Sequence, residues 1–269
     1  MNRAAKYTRA YSLGMQNGLE YRADFYLNML SVVFQIFIQL FLWSAIYGKS
    51  SNSELFGYTH AQMIHYTVLS ALLNRLLRTG FEYEIAEDIK SGGLSKYIVR
   101  PIHYFPYRLL AFLGVKTAHT GMISIIFLLV TLLMARWTGL PITPVQILAF
   151  LPVFIFSFFL NFVLFYLVSC IAFWLAEIGF LFEAVRIVFI ALSGGIFPLA
   201  VLGPKAEAIL NLMPFRYTIN FPVDVLNGRI NGSAYWTGLM AQLVWIIVLS
   251  TAAAWVWRIG SRKFVAVGG

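Results

Sequence analysis

Long apolar runs broken by short polar stretches set the layout of this chain. The runs cover residues 27–47, 61–77, 106–134, 146–175, 180 to the Ser193-Gly194-Gly195 break, and 235–257. They are mostly about twenty residues or longer and do not alternate, whereas strands crossing a bilayer need only about ten alternating residues. The pattern therefore predicts an all-α integral membrane fold of six transmembrane helices. Six crossings leave both termini on one side. The fourth run is long enough to require tilt or a break near Pro152.

The polar stretches carry their own periodicity. Residues 1–24 hold Arg3, Lys6, Arg9 and Arg22, with Tyr7, Tyr11, Met15 and Leu19 at four-residue spacing, which predicts an interfacial amphipathic helix. The run that follows is full-length and ends without a small-residue cleavage site, so a cleaved leader is not expected. Residues 79–101 form a charged island in which Glu82, Glu84, Glu87 and Asp88 fall within seven residues, although the chain has only 11 acidic residues. Phe81, Ile85 and Ile89 share one helical face there, and the carboxylates with Lys90 take the remaining circumference. Gly92 and Gly93 end that helix, and Arg100-Pro101 turns the chain away. Residues 194–232 are too apolar for a solvated loop, yet Pro198, Pro204, Pro214 and Pro222 cut them. Pro204 opens a short helix with Ala206, Ile209, Leu210 and Met213 on its apolar face, and Pro214 closes it. The expectation is an external re-entrant pair of helices, with a loop folded over the bundle as the alternative.

Composition agrees. With 60% hydrophobic and 12% charged residues, and a mean hydropathy of +0.77, the chain cannot cover itself with polar surface. The net charge of +9 does not signal nucleic acid, because the basic residues flank apolar runs and form no continuous stripe. Most of them fall on the side of the termini and the acidic island; Lys49, Arg136, Lys205, Arg216 and Arg229 fall on the other. By the positive-inside rule the termini and the island are cytoplasmic. Cys170 is the one cysteine and lies in an apolar run, so no disulfide or thiolate metal site is expected. Without a linker or internal repeat, residues 1–269 read as one transmembrane domain.

Little points to catalysis. Gly48-Lys49-Ser50 supplies the end of a phosphate-binding loop, but Trp43 stands where its first glycine belongs. His60, His65, His103 and His119 show no metal-ligand spacing, and Asn231-Gly232-Ser233 is a sequon too short to weigh. No catalytic or metal-binding residue is expected. Among polar residues in the runs, Gln35 and Gln39 share a helical face, Asn161 suits a tie between helices, and Lys116 lines a pathway or snorkels to the cytoplasmic face. Glu183 and Arg186 are spaced to pair.

An amphipathic N-terminus, six spans, a charged helix between spans two and three, and a proline-broken segment before the last span together resemble the permease subunits of bacterial ABC-2 type transporters. The run EIAEDIKSGGLSKYIVRPI, residues 84–102, is similar to that family's segment after the second span. The resemblance implies that Glu82, Glu84, Glu87, Asp88 and Lys90 form a coupling helix that docks on a dimer of separate ABC ATPase subunits. It implies a second permease chain, identical or related, with Gln35, Gln39, Asn74, Gly194 and Gly195 at the pathway or the dimer seam. This chain then binds no cofactor of its own; ATP and Mg belong to the partner ATPase. The implied function is an ATP-driven exporter in the bacterial plasma membrane, moving an amphipathic, lipid-like or drug-like substrate. Export of a polysaccharide or glycolipid is the alternative within the family. A polytopic membrane enzyme needs convergent His, Asp or Glu residues at one face, and a scaffold needs no ATPase.

Overall fold

The computed structural model describes residues 3–20, 22–98, 103–140, 142–175 and 177–263. Two helices open the chain, α1 (Arg3–Glu20) and α2 (Arg22–Lys49). A two-residue hairpin follows, β1 (Glu54–Leu55) and β2 (Tyr58–Thr59), turned at Phe56 and Gly57 with both φ values positive. It leads into α3 (His60–Leu77), which starts at a capping box: Gln62 N donates to Thr59 Oγ1 and Thr59 N to Gln62 Oε1. The charged island folds as α4 (Phe81–Lys90), and a single turn, α5 (Ser95–Ile98), follows it. The predicted exit at Arg100-Pro101 lies outside the described residues, as do Met1, Asn2 and Tyr21 of the N-terminal stretch.

Next come α6 (Tyr104–Thr138) and α7 (Pro144–Ser169), the latter opened by a second capping box, Thr143 with Gln146, and by Pro144 in its first turn. A 3-10 turn extends α7 to Phe173, and Pro152 sits inside it. The helix α8 (Gly179–Leu192) ends before Gly194. Two short helices, α9 (Pro204–Leu210) and α10 (Asn220–Leu226), fill the proline-cut segment, and α11 (Gly232–Ser261) closes the described chain.

By length and composition, Met29–Lys49, Pro144–Phe173 and Gly232–Ser261 are long and apolar enough to cross a membrane. Two of the other three predicted spans are shorter helices. With a rise of about 1.5 Å per residue, the 18 residues of α3 extend about 27 Å and the 14 of α8 about 21 Å, against a hydrocarbon core of about 30 Å. The 35-residue α6 is long enough, and its residues 117–134, between Lys116 and Arg136, carry no charged side chain.

The α1 helix packs along α6 through its small residues. Ala10, Gly14 and Gly18 are buried against α6, while Met15 and Leu19 remain exposed. A Cβ on Gly14 would stand 2.1 Å from the Ala111 carbonyl oxygen, so only glycine permits this approach. Small residues let two helix backbones approach closely, which leaves the face with Met15 and Leu19 outward.

The core is an aromatic column on α7. Phe112 and Phe158 stack at 5.1 Å, Phe105 meets Tyr166 at 4.8 Å, and Trp257 of α11 lies 4.9 Å from Tyr104. Two amides fasten the surrounding helices. Asn161 Nδ2 donates to the Leu77 carbonyl at the end of α3 (2.6 Å), and Gln242 Nε2 of α11 donates to Ser157 Oγ and the Tyr217 carbonyl, both at 2.9 Å. Leu27, Phe34, Ile38 and Phe41 of α2 point outward, fully available to lipid or to another chain.

Candidate functional site

The α4 helix is held by apolar insertion and by two arginines from different helices. Phe81 wedges between Phe112 of α6 and Phe162 of α7, with ring centroids 4.9 and 4.6 Å away. Ile85, Ala86 and Ile89 continue that buried face. From α6, Arg108 donates to the carboxylates of both Glu84 and Asp88, and its Nε donates to Tyr104 Oη at 3.0 Å. Tyr104 in turn donates to Asp88 Oδ2 at 2.6 Å. From α8, Arg186 pairs with Glu82 and, at 3.3 Å, with Glu183. Tyr83 donates to Glu183 Oε1 at 2.5 Å. Partial burial and this hydrogen bond push the Tyr83 phenol up from its ordinary value.

The five charged residues proposed for α4 therefore separate into three groups. Glu82, expected on the charged roof, lies instead on the buried face with a side chain 0% exposed. Its position is reached because Glu82, Ala86 and Ile89 also share a helical face, and Arg186 supplies the charge that makes burial possible. Asp88 is half-buried in the Arg108 pair, and Glu84 is exposed but reaches the same arginine. Glu87 and Lys90 point outward, and with Tyr83 and Glu84 they form the accessible face of α4.

The pair Glu183 and Arg186 forms as its spacing predicts, yet its connection to Glu82 is the larger structural fact. Through it α4 is tied directly to α8. That helix ends in a joint with α3 and α10. Tyr66 of α3 donates to the Gly194 carbonyl at 2.7 Å, Asn220 Nδ2 of α10 donates to Tyr66 Oη at 2.9 Å, and Asn74 Nδ2 reaches the Gly195 carbonyl at 3.5 Å. Between α2, α3, α7 and α8 lies a cavity of about 290 Å³. Gln35 and Asn74 line it beside Asn161 and Arg186, facing Ile187 and Phe189. Gly194 and Gly195 belong to the joint and not to the cavity wall, and Gln39 is half-buried on α2 away from it.

Sequence reasoning passed over a third cluster at the opposite end of α3. Tyr58 donates to Asp224 Oδ1 at 2.7 Å, Arg229 lies 3.5 Å from the same oxygen, and its guanidinium sits 3.5 Å above the Tyr58 ring. Burial pushes the Asp224 carboxyl up to about 6, against the pull of Arg229 and the Tyr58 hydrogen bond. The signal was present: an aspartate inside the apolar stretch NFPVDVL demands a partner. His60 stacks on Tyr47 at 5.0 Å, and His65 meets Thr138 Oγ1 at 2.7 Å. Among the described residues no group of three or more His, Cys, Asp or Glu is placed to hold a metal.

A family model described as ABC-2 family transporter protein matches residues 33–268. The chain belongs to this family. It is a membrane permease of an ABC transporter, and permeases of this family work with an ATPase subunit. No curated protein and no solved structure matches the chain. The ABC-2 match spans α3, α4 and the α8 joint, so the clamp around α4 lies within the part that is recognisably ABC-2.

Proposed function

We propose that this ABC-2 permease is the membrane subunit of an ATP-driven exporter, and that α4 is the helix on which its ATPase acts. The single observation that carries this is the double clamp: Arg186 joins α4 to α8, and Arg108 joins it to α6. A force applied to the outward face at Tyr83, Glu84, Glu87 and Lys90 then moves two membrane helices without first deforming α4. Glu87 and Lys90 steer and orient the soluble partner through their charge.

The α8 helix forms one wall of the cavity that contains Gln35 and Asn74, so its displacement changes that cavity's width. The joint at Gly194 anchors the far end of α8 to α3, which makes the helix a lever with a fixed outer end. Polar Gln35, Asn74 and Asn161 on one side and Ile187, Phe189 and Ile190 on the other suit an amphipathic or lipid-like cargo. In this reading six helices cross the bacterial plasma membrane and α4 faces the cytoplasm by the charge rule. Two permease chains, identical or related, meet through the outward apolar face of α2. ATP and Mg sit on the partner ATPase dimer.

Mild-detergent purification of the tagged chain from its native host, with mass spectrometry of bound subunits and an ATPase assay, tests the proposal. Recovery of an ATP-hydrolysing subunit that is lost in a Glu87→Lys, Lys90→Glu variant supports it. An intact permease with no ATPase points instead to a scaffold.

A further inference from the structure

We infer that the permease holds an anionic phospholipid beside α4, with the headgroup phosphate between α1, α3 and α6 and one acyl chain between α6 and α7. A cavity of about 480 Å³ opens between α1, the end of α3, the start of α4 and α6. Arg75, Arg78 and Lys116 converge on it, and Asn17 of α1 adds an amide. Glu84, which lines it, is engaged with Arg108, and the nearby Glu82 with Arg186. Lys116 is only 7% exposed, and its ammonium donates to the Arg78 carbonyl. A buried cation of this kind is stabilised by an anion that also excludes water.

A second, independent feature identifies the anion as part of an amphiphile. On the adjoining face of α6 runs an apolar groove of about 430 Å³, lined by Leu113, Phe154, Ile155, Phe158 and Phe159. Lys116 lines both spaces, and its ammonium donates to the Arg78 carbonyl at the cavity. A phosphate on the three cations therefore has an apolar channel for its chain directly beside it. A water-soluble phosphate leaves the groove unused, and a neutral lipid makes no use of the cations. Because α4 begins at the cavity's edge, with Gly80 and Phe81 in its lining, an occupied site braces the α3–α4 junction. The inference does not depend on cargo or direction of transport, since binding is read without nucleotide.

Native mass spectrometry of the delipidated intact protein, titrated with phosphatidylglycerol or phosphatidylcholine of matched chains, tests it. Phosphatidylglycerol should be retained about tenfold better. Arg78→Gln, at an exposed side chain, and Lys116→Met should each bring the two lipids near parity. Gly121→Leu puts a side chain into open space along the groove of an intact helix, and should weaken both lipids about fivefold. Equal retention of the two lipids by the wild type overturns the inference. So does displacement by millimolar inorganic phosphate with Gly121→Leu silent, which assigns the cavity to a water-soluble phosphate compound.

Discussion

Replacing Arg186 with methionine strips the cation from Glu82 while keeping most of the side chain's volume. Glu82 is 0% exposed and Arg186 11%, so little water is available to take over. Removing one member of a buried pair costs about 3–5 kcal/mol, and the small remaining exposure of Arg186 puts this case near the lower end, about 3 kcal/mol. For a chain of this size each kcal/mol moves the melting temperature by about 2–4 °C, giving a fall of about 6–12 °C. The double variant Glu82→Met, Arg186→Met removes both charges and should recover most of that loss, because apolar replacement of a buried pair is close to neutral. It should nevertheless leave ATP hydrolysis uncoupled from transport, since the α4–α8 tie is gone. Thermal unfolding in detergent, followed by ATPase and transport assays in liposomes with the copurified partner, reads both effects. A single Arg186→Met variant within about 2 °C of the wild type, or a double variant no more stable than the single, refutes the reasoning.

Three further outcomes are expected. Glu87→Lys alters only an outward side chain, so its melting temperature should stay within about 2 °C of the wild type while ATPase binding falls. Gly194→Ala places a Cβ 2.5 Å from Tyr66 Oη at a φ of +80°, and should cost about 1–3 kcal/mol by denaturant or thermal unfolding. Asp224 holds its proton more tightly when folded than when unfolded, so its contribution to stability falls as pH rises from about 4 to about 6 and is flat above. Asp224→Asn should remove that slope in melting temperatures taken across the same range.

Much of the layout was legible because it rests on local pattern. Phe81, Ile85 and Ile89 announced α4, Gly92 and Gly93 its end, and Pro204 and Pro214 bracketed α9. The site was less legible, because its decisive contacts are remote in sequence. Glu82 is buried only because Arg186, 104 positions later, meets it, and helical periodicity on α4 alone assigns it to either face. The approach of α1 to α6 was not legible either, because the small residues that permit it, Gly14, Gly18 and Gly114, carry no hydrophobic signal. Asp224, Tyr58 and Arg229 come from two segments whose meeting no local spacing encodes.

The central claim is that the outward face of α4 meets an ATPase. Cys170, the one native cysteine, is fully buried, so an introduced thiol can be labelled alone. We would place Glu87→Cys and, as a control at the far end of the fold, Ser233→Cys in the native host, attach a maleimide–diazirine reagent, irradiate membranes and identify the adducts. The account predicts a covalent adduct with a nucleotide-binding subunit from position 87 and none from position 233. Absence of that adduct at 87 while the ATPase still copurifies, or equal labelling from both positions, would contradict it.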